Sequence, residues 1–178
     1  SEREEIRERL RRNLEELRKS IKKIEDDLRR LEKRHRDAVK EIEDRLRRLE
    51  EKLDEMAKRD SDEETVRKIK EEVRRKVEKI KEEIRKHHEE IEERLRRIRK
   101  ELKEVEDEHR RRVEKLERDD LPREDVKRAV DEIHKHTKEK EDRLRKLLKD
   151  LEKNIEDAIR RLEKLLRDLE EEIKEAAK

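Results

Sequence analysis

Residues 56–66 read MAKRDSDEETV, and they form the first of two interruptions in an otherwise continuous helical pattern. Ser61 and Glu64 have the spacing of a capping box, in which the two side chains pair free N–H groups at the start of a helix. Residues 116–126, LERDDLPREDV, form the second interruption, and Pro122 within them is tolerated only at a helix start. The two interruptions predict three helices, at about residues 2–59, 62–118 and 122–177.

Apolar residues mark one face of each predicted helix. They make up 27% of the 178 residues, against 65% that are charged, a composition typical of disordered chains when the apolar residues are scattered. Here they recur at steps of three and four, and the average step lies between the ~3.5 residues of a coiled coil and the ~3.6 of a straight helix. Three such rows can close one core, and the charged residues then cover its outside.

The expected architecture follows from these rows and from the short connections between them, which place successive helices antiparallel. We predict an all-α fold with residues 1–178 in a single domain: a long, nearly straight, up-down-up three-helix bundle with coiled-coil-like packing. The row predicted for the third helix runs through Leu147 and Leu165. Adjacent apolar pairs either widen the core face or form a second interface for self-association. These pairs are Ala38-Val39, Met56-Ala57, Leu147-Leu148 and Leu165-Leu166.

Charge and composition exclude several classes of function. The 59 basic and 57 acidic residues leave a net charge of +2, and their interleaving gives no basic face for nucleic acid. No aromatic residue is present on which single-stranded bases could stack. No apolar run approaches the ~20 residues of a membrane span, and no signal-peptide pattern is present. We expect a soluble protein that is not an enzyme and that requires no cofactor, nucleic acid, membrane or other partner at neutral pH.

Histidine and asparagine side chains lie in or beside the apolar rows, and their heights along the helices coincide. In an antiparallel hairpin, two residues that lie at the same height along the bundle have sequence numbers with a constant sum. The residues on either side of the turn give the value of that sum. By this rule the two asparagines share levels with histidines of the other two helices. One level holds Asn13, His109 and His134; the other holds His35, His87 or His88, and Asn154; Ser20, His136 and Thr137 lie about one turn further in from the first level.

Such a layer has a pH-dependent chemistry if it is buried. A neutral imidazole has one donor and one acceptor, so it can close a hydrogen-bond network with an asparagine amide. Protonation turns the acceptor into a second donor and adds a charge in a low dielectric, so burial lowers the pKa of histidine from its usual ~6.5. The folded state is then expected to weaken as the pH falls.

Two other interpretations stay open. Buried polar layers can serve only to fix helix register, which would make the protein an inert scaffold or assembly building block. The side chains of His87-His88 and of His134-Lys135-His136 cannot all point inward, so part of each set is expected at the surface. Metal binding is less favoured, and we predict no metal site, because each level offers two histidines and an asparagine rather than three or four ligands.

The chain resembles a de novo designed helical bundle. Three rows of equal length, Ser-x-x-Glu caps at Ser1 and Ser61, minimal loops and the absence of glycine carry this resemblance over the whole chain. More specifically, it is similar to designed bundles with buried histidine hydrogen-bond networks, which open at mildly acidic pH. The resemblance implies a pH-responsive protein expressed in a heterologous cytoplasm. It rests on Asn13, His35, His87, His88, His109, His134, His136 and Asn154.

Overall fold

Three α-helices make up nearly all of the chain that the structure, a computed structural model, describes: residues 2–59 and 63–176. The helices are α1 (Glu2–Arg59), α2 (Glu63–Arg118) and α3 (Arg123–Ala176). The predicted all-α three-helix bundle is confirmed. The predicted caps at Ser1 and Ser61 lie outside the described residues.

The connection between α2 and α3 follows the sequence signals closely. The N–H of Asp119 donates to the carbonyl of Lys115 (3.0 Å) in the last turn of α2, and the N–H of Val126 donates to the carbonyl of Pro122 (3.0 Å). Pro122 therefore supplies the first acceptor of α3, at a position where its missing N–H leaves no helical bond unmade. Leu121 beside it is 41% exposed.

The described residues fall into two compact units, each built from segments of all three helices. The first unit lies within Ser1–Arg30 and Glu93–Leu151, and the second within Leu31–Glu92 and Glu152–Lys178. Ion pairs inside each unit fix the helix directions, because paired positions run in opposite order on α1 and α2 and in the same order on α1 and α3. Pairs of the first unit are Arg3–Asp120, Arg18–Glu106, Glu2–Arg123 and Arg9–Asp131; pairs of the second are Asp54–Lys70, Glu50–Lys81, Arg34–Glu156 and Arg45–Glu170.

Each unit has its own apolar core, formed by residues at steps of three and four. Burial of these side chains provides most of the stabilisation, since the surface ion pairs are worth ~0–1 kcal/mol each. A cluster of the first unit contains Leu10, Leu116, Val130 and Ile133. A cluster of the second contains Ile42, Leu46, Leu49, Leu53, Val73, Val77, Ile80, Ile84, Leu162, Leu166, Leu169 and Ile173.

The row on α3 differs from the prediction by one residue at two places. Leu148 and Leu166 are buried, whereas Leu147 and Leu165 are half-buried. Steps of four after residues 144 and 162 keep the row facing the core, because an α-helix advances ~3.6 residues per turn. Since all members of the four adjacent apolar pairs are buried or half-buried, the pairs widen the core face.

No helix within residues 2–59 and 63–176 is long and apolar enough to cross a membrane.

Candidate functional site

His109 is the most deeply buried of the histidines and lies in the first unit. It occupies the apolar row of α2 after Leu102 and Val105, and it is 2% exposed. Its Nδ1 lies 3.2 Å from the hydroxyl oxygen of Thr137 on α3, which is itself buried. Its Nε2 is buried with no hydrogen-bond partner among the described residues. One edge of the ring is therefore satisfied and the other is not.

A cavity of about 150 Å³ lies beside this ring. The predicted level of Asn13, His109 and His134 is brought together around it. Asn13 is half-buried, and its Nδ2 is also buried without a hydrogen-bond partner in the described chain. The asparagine and the imidazole therefore do not close the direct hydrogen-bond network predicted for this layer. The full lining is Asn13 and Glu16 of α1, His109 of α2, and His134, Thr137, Lys138 and Glu141 of α3.

The surroundings of His109 disfavour its protonated form. Burial lowers the pKa of His109 below its usual value, and electrostatic repulsion from Arg112 and His134 lowers it further. The Thr137 hydroxyl does not oppose this shift strongly, because it can donate to the neutral ring or accept from the charged one.

Among the described residues, Thr137 is the one group that hydrogen-bonds to His109, so its removal has a specific expected result. We predict that Thr137→Val lowers the free energy of unfolding at neutral pH by about 1–3 kcal/mol, because valine keeps the shape and leaves Nδ1 unpaired in the core. Urea denaturation followed by circular dichroism measures the change. The same substitution in a His109→Leu background provides the control, and an equal cost in both backgrounds would show that the bond contributes nothing.

Glu141 extends the polar region along α3. Ser20 donates a hydrogen bond to its Oε2 (3.3 Å), and the guanidinium of Arg145 donates to the Ser20 hydroxyl (3.1 Å). Burial raises the pKa of Glu141, while the Ser20 hydrogen bond and Arg145 act in the opposite direction. Sequence reasoning missed this residue, although His134, Thr137 and Glu141 have the i, i+3, i+7 spacing of one helix face.

His35 is the second buried histidine and belongs to the second unit. It is 6% exposed in the row of α1, and its ring stacks on that of His88 of α2 with centroids 5.8 Å apart and planes 20° apart. Burial lowers the pKa of His35, as do His88 and, to a smaller extent, His87; Glu92 and Glu32 raise it. Of the two adjacent histidines, His88 contacts His35 while remaining largely exposed, and His87 is half-buried.

Asn154 does not join His35, which corrects the prediction for this level. Asn154 is exposed, whereas the neighbouring Ile155 is 0% exposed. The apolar row of α3 passes through Leu151, Ile155 and Ala158, so position 154 is rotated by about 100° from the core direction. A matching sum of positions defines height along the bundle axis and does not define the direction of the side chain.

His136 lies apart from the cavity. It is half-buried, and its Nε2 lies 3.5 Å from Oε1 of Glu108 without forming a hydrogen bond. It lines a separate groove between α2 and α3, with Leu116 and Ile133 among the other lining residues. His136 is therefore not part of the polar layer around His109.

Two further findings concern metal binding and similarity to known proteins. In residues 2–59 and 63–176, no group of three or more histidine or carboxylate side chains is placed to hold a metal ion. A comparison of the chain with known proteins finds no matching family model, no similar curated protein and no similar solved structure.

Proposed function

We propose that the chain is a designed, non-enzymatic helical bundle whose folded state weakens when its buried histidines become protonated at mildly acidic pH. The observation that carries this proposal is His109, a core residue whose ring makes one neutral hydrogen bond and binds no acidic side chain within residues 2–59 and 63–176. A proton on Nε2 would place a positive charge near that of Arg112, on a side chain that is only 2% exposed. The charged or titratable groups around this ring are Glu16 of α1, Arg112 of α2, and His134, Lys138 and Glu141 of α3.

His35 supports the proposal independently, in the other unit. Electrostatic repulsion from His88, whose ring stacks on that of His35, and from His87 disfavours a proton on His35. Glu32 and Glu92 offset part of this repulsion. Glu156 of α3, in the same unit, forms an ion pair with Arg34 of α1, with 2.8 Å between Nη1 and Oε1.

The direction of the pH effect follows from the lowered pKa values of His35 and His109. The unfolded chain, with a histidine pKa near ~6.5, binds more protons than the folded chain as the pH falls below that value. The stabilisation is therefore fully present above about pH 6.5 and is lost as the pH falls towards the folded-state pKa. Each histidine contributes up to ~1.4 kcal/mol per pH unit in this window. Glu141, whose pKa burial raises, acts in the opposite direction in the carboxyl range.

Denaturation at a series of pH values tests the proposal. We predict that the urea midpoint of the full chain falls between about pH 7.5 and about pH 5, a range in which histidines titrate and most carboxylates do not. The double variant His35→Leu, His109→Leu is expected to lose this dependence and to keep the acid unfolding below about pH 4.5 that carboxylates cause.

The outcome separates this proposal from the scaffold interpretation. A midpoint that changes equally with pH in the native chain and in the double variant would mean that His35 and His109 serve only packing and register. Circular dichroism and size-exclusion chromatography at each pH distinguish loss of helix from a change of association state.

A further inference from the structure

The cavity beside His109 contains hydrogen-bonding groups that the protein leaves unpaired. Asn13 Nδ2 and His109 Nε2 are both buried without a partner in the described chain, and both residues line the cavity. Buried polar atoms are normally paired, and each unpaired group costs about 1–3 kcal/mol. A space of about 150 Å³ accommodates several waters or one small solute. Asn13 Nδ2 is a donor, and Nε2 of His109 is a donor when the ring is protonated, so the two atoms then match a guest molecule that accepts hydrogen bonds.

We propose that this cavity is a binding site for a small monocarboxylate, occupied when His109 is protonated. This inference rests on the proposed function, because it requires a proton on the imidazole. It adds a ligand class to that function: an anion that enters the cavity restores partners to the unpaired donors and neutralises the new charge.

The donors of the site match a carboxylate. Asn13 Nδ2 can only donate, and the charged His109 donates from both nitrogens, with Nδ1 directed at the Thr137 hydroxyl and Nε2 free for a guest. The two oxygens of a carboxylate can accept from Asn13 and His109 together, and charge-assisted hydrogen bonds of this kind are the strong ones. Lys138 adds a positive charge to the lining.

The acidic groups of the lining define when the site opens to anions. Glu16 and Glu141 repel an anion while both are ionised. Burial raises the pKa of Glu141, and protonation of this carboxyl removes one of the two repelling charges. Protonation of His109 and of Glu141 each shifts the charge of the lining in the positive direction, which favours entry of an anion.

Urea denaturation of the full chain at about pH 5 tests the site, with sodium formate replacing sodium gluconate at constant ionic strength. Gluconate carries the same charge and carboxylate but is a much larger molecule. If formate binds the folded chain with a dissociation constant Kd, it is expected to divide the equilibrium constant of unfolding by 1 + [formate]/Kd. At about pH 7.5 the same exchange of salts is expected to have no effect.

Two variants make the test specific. Asn13→Leu removes one donor of the site and is expected to abolish the formate effect. Glu16→Gln, at an exposed position, removes a repelling charge and is expected to lower the formate concentration that gives half of the full effect. Because residue 16 is exposed, this second variant is informative even if Asn13→Leu fails to fold.

The outcomes for the two proposals differ. A pH-dependent midpoint without any formate effect, or a formate effect that is equal in the native chain and in both variants, would overturn the anion site alone. A midpoint in gluconate that does not change between about pH 7.5 and about pH 5 would overturn the proposed function and the anion site with it.

Discussion

Replacing His109 by glutamate is expected to destabilise the fold at neutral pH and to reverse the local pH dependence. The introduced carboxylate would be buried in the first unit, in a cavity that Glu16 and Glu141 already line. Leaving a charge buried without adequate compensation costs about 3–5 kcal/mol. Burial and the two acidic neighbours would raise the pKa of the new group, so its contribution to stability is present at acidic pH and lost as the pH rises.

His109→Gln is the matched control for this prediction. Glutamine has nearly the same size and differs from glutamate by one charge, and its amide can still reach the Thr137 hydroxyl. We expect this variant to remain within about 1–2 kcal/mol of the native chain and to show no titration from position 109. Free energies of unfolding from urea titrations at about pH 5 and about pH 7.5 measure both effects. Equal stabilities of the glutamate and glutamine variants at about pH 7.5 would show that this site tolerates charge, contrary to the proposed mechanism.

The fold was predictable from sequence because the signals that define it are local. A helix face is visible as steps of three and four, and a helix boundary as a break in those steps with Ser, Asp or Pro nearby. Pro122, for example, lies directly before α3, which begins at Arg123. Short connections then leave antiparallel packing as the simple arrangement.

The sequence predicted the height of the site residues along the bundle, and it predicted only in part the direction in which their side chains point. Summed positions correctly placed Asn13, His109 and His134 around one cavity, because helical rise is uniform along each segment. The same rule misplaced Asn154, since one residue of rotation moves a side chain from the core to the surface. The same one-residue ambiguity arose at Leu147 and Leu148, because either residue fits the spacing of three and four that marks the buried face.

Contacts that depend on side-chain conformation were beyond the sequence pattern. The stacking of His35 on His88 uses a residue whose own side chain is largely exposed, so burial rules alone would have chosen His87. The hydrogen bond from Ser20 to Glu141 joins α1 to α3 through a charged residue that a binary pattern assigns to the surface. The cavity exists because the polar side chains around His109 do not fill the space between three helices, and volume of this kind has no periodic signal.

Ile155 and Asn154 offer a direct test of the direction in which α3 faces the core of the second unit. Ile155 is 0% exposed, so Ile155→Ala is expected to lower the free energy of unfolding by about 2–5 kcal/mol through lost burial and the cavity left behind. Asn154 is exposed, and Asn154→Ala is expected to change stability by less than about 0.5 kcal/mol. Denaturation of both variants at neutral pH provides the comparison. A large loss from Asn154→Ala with a small one from Ile155→Ala would place the asparagine in the core beside His35, and would restore the closed histidine–asparagine layer that the structure excludes.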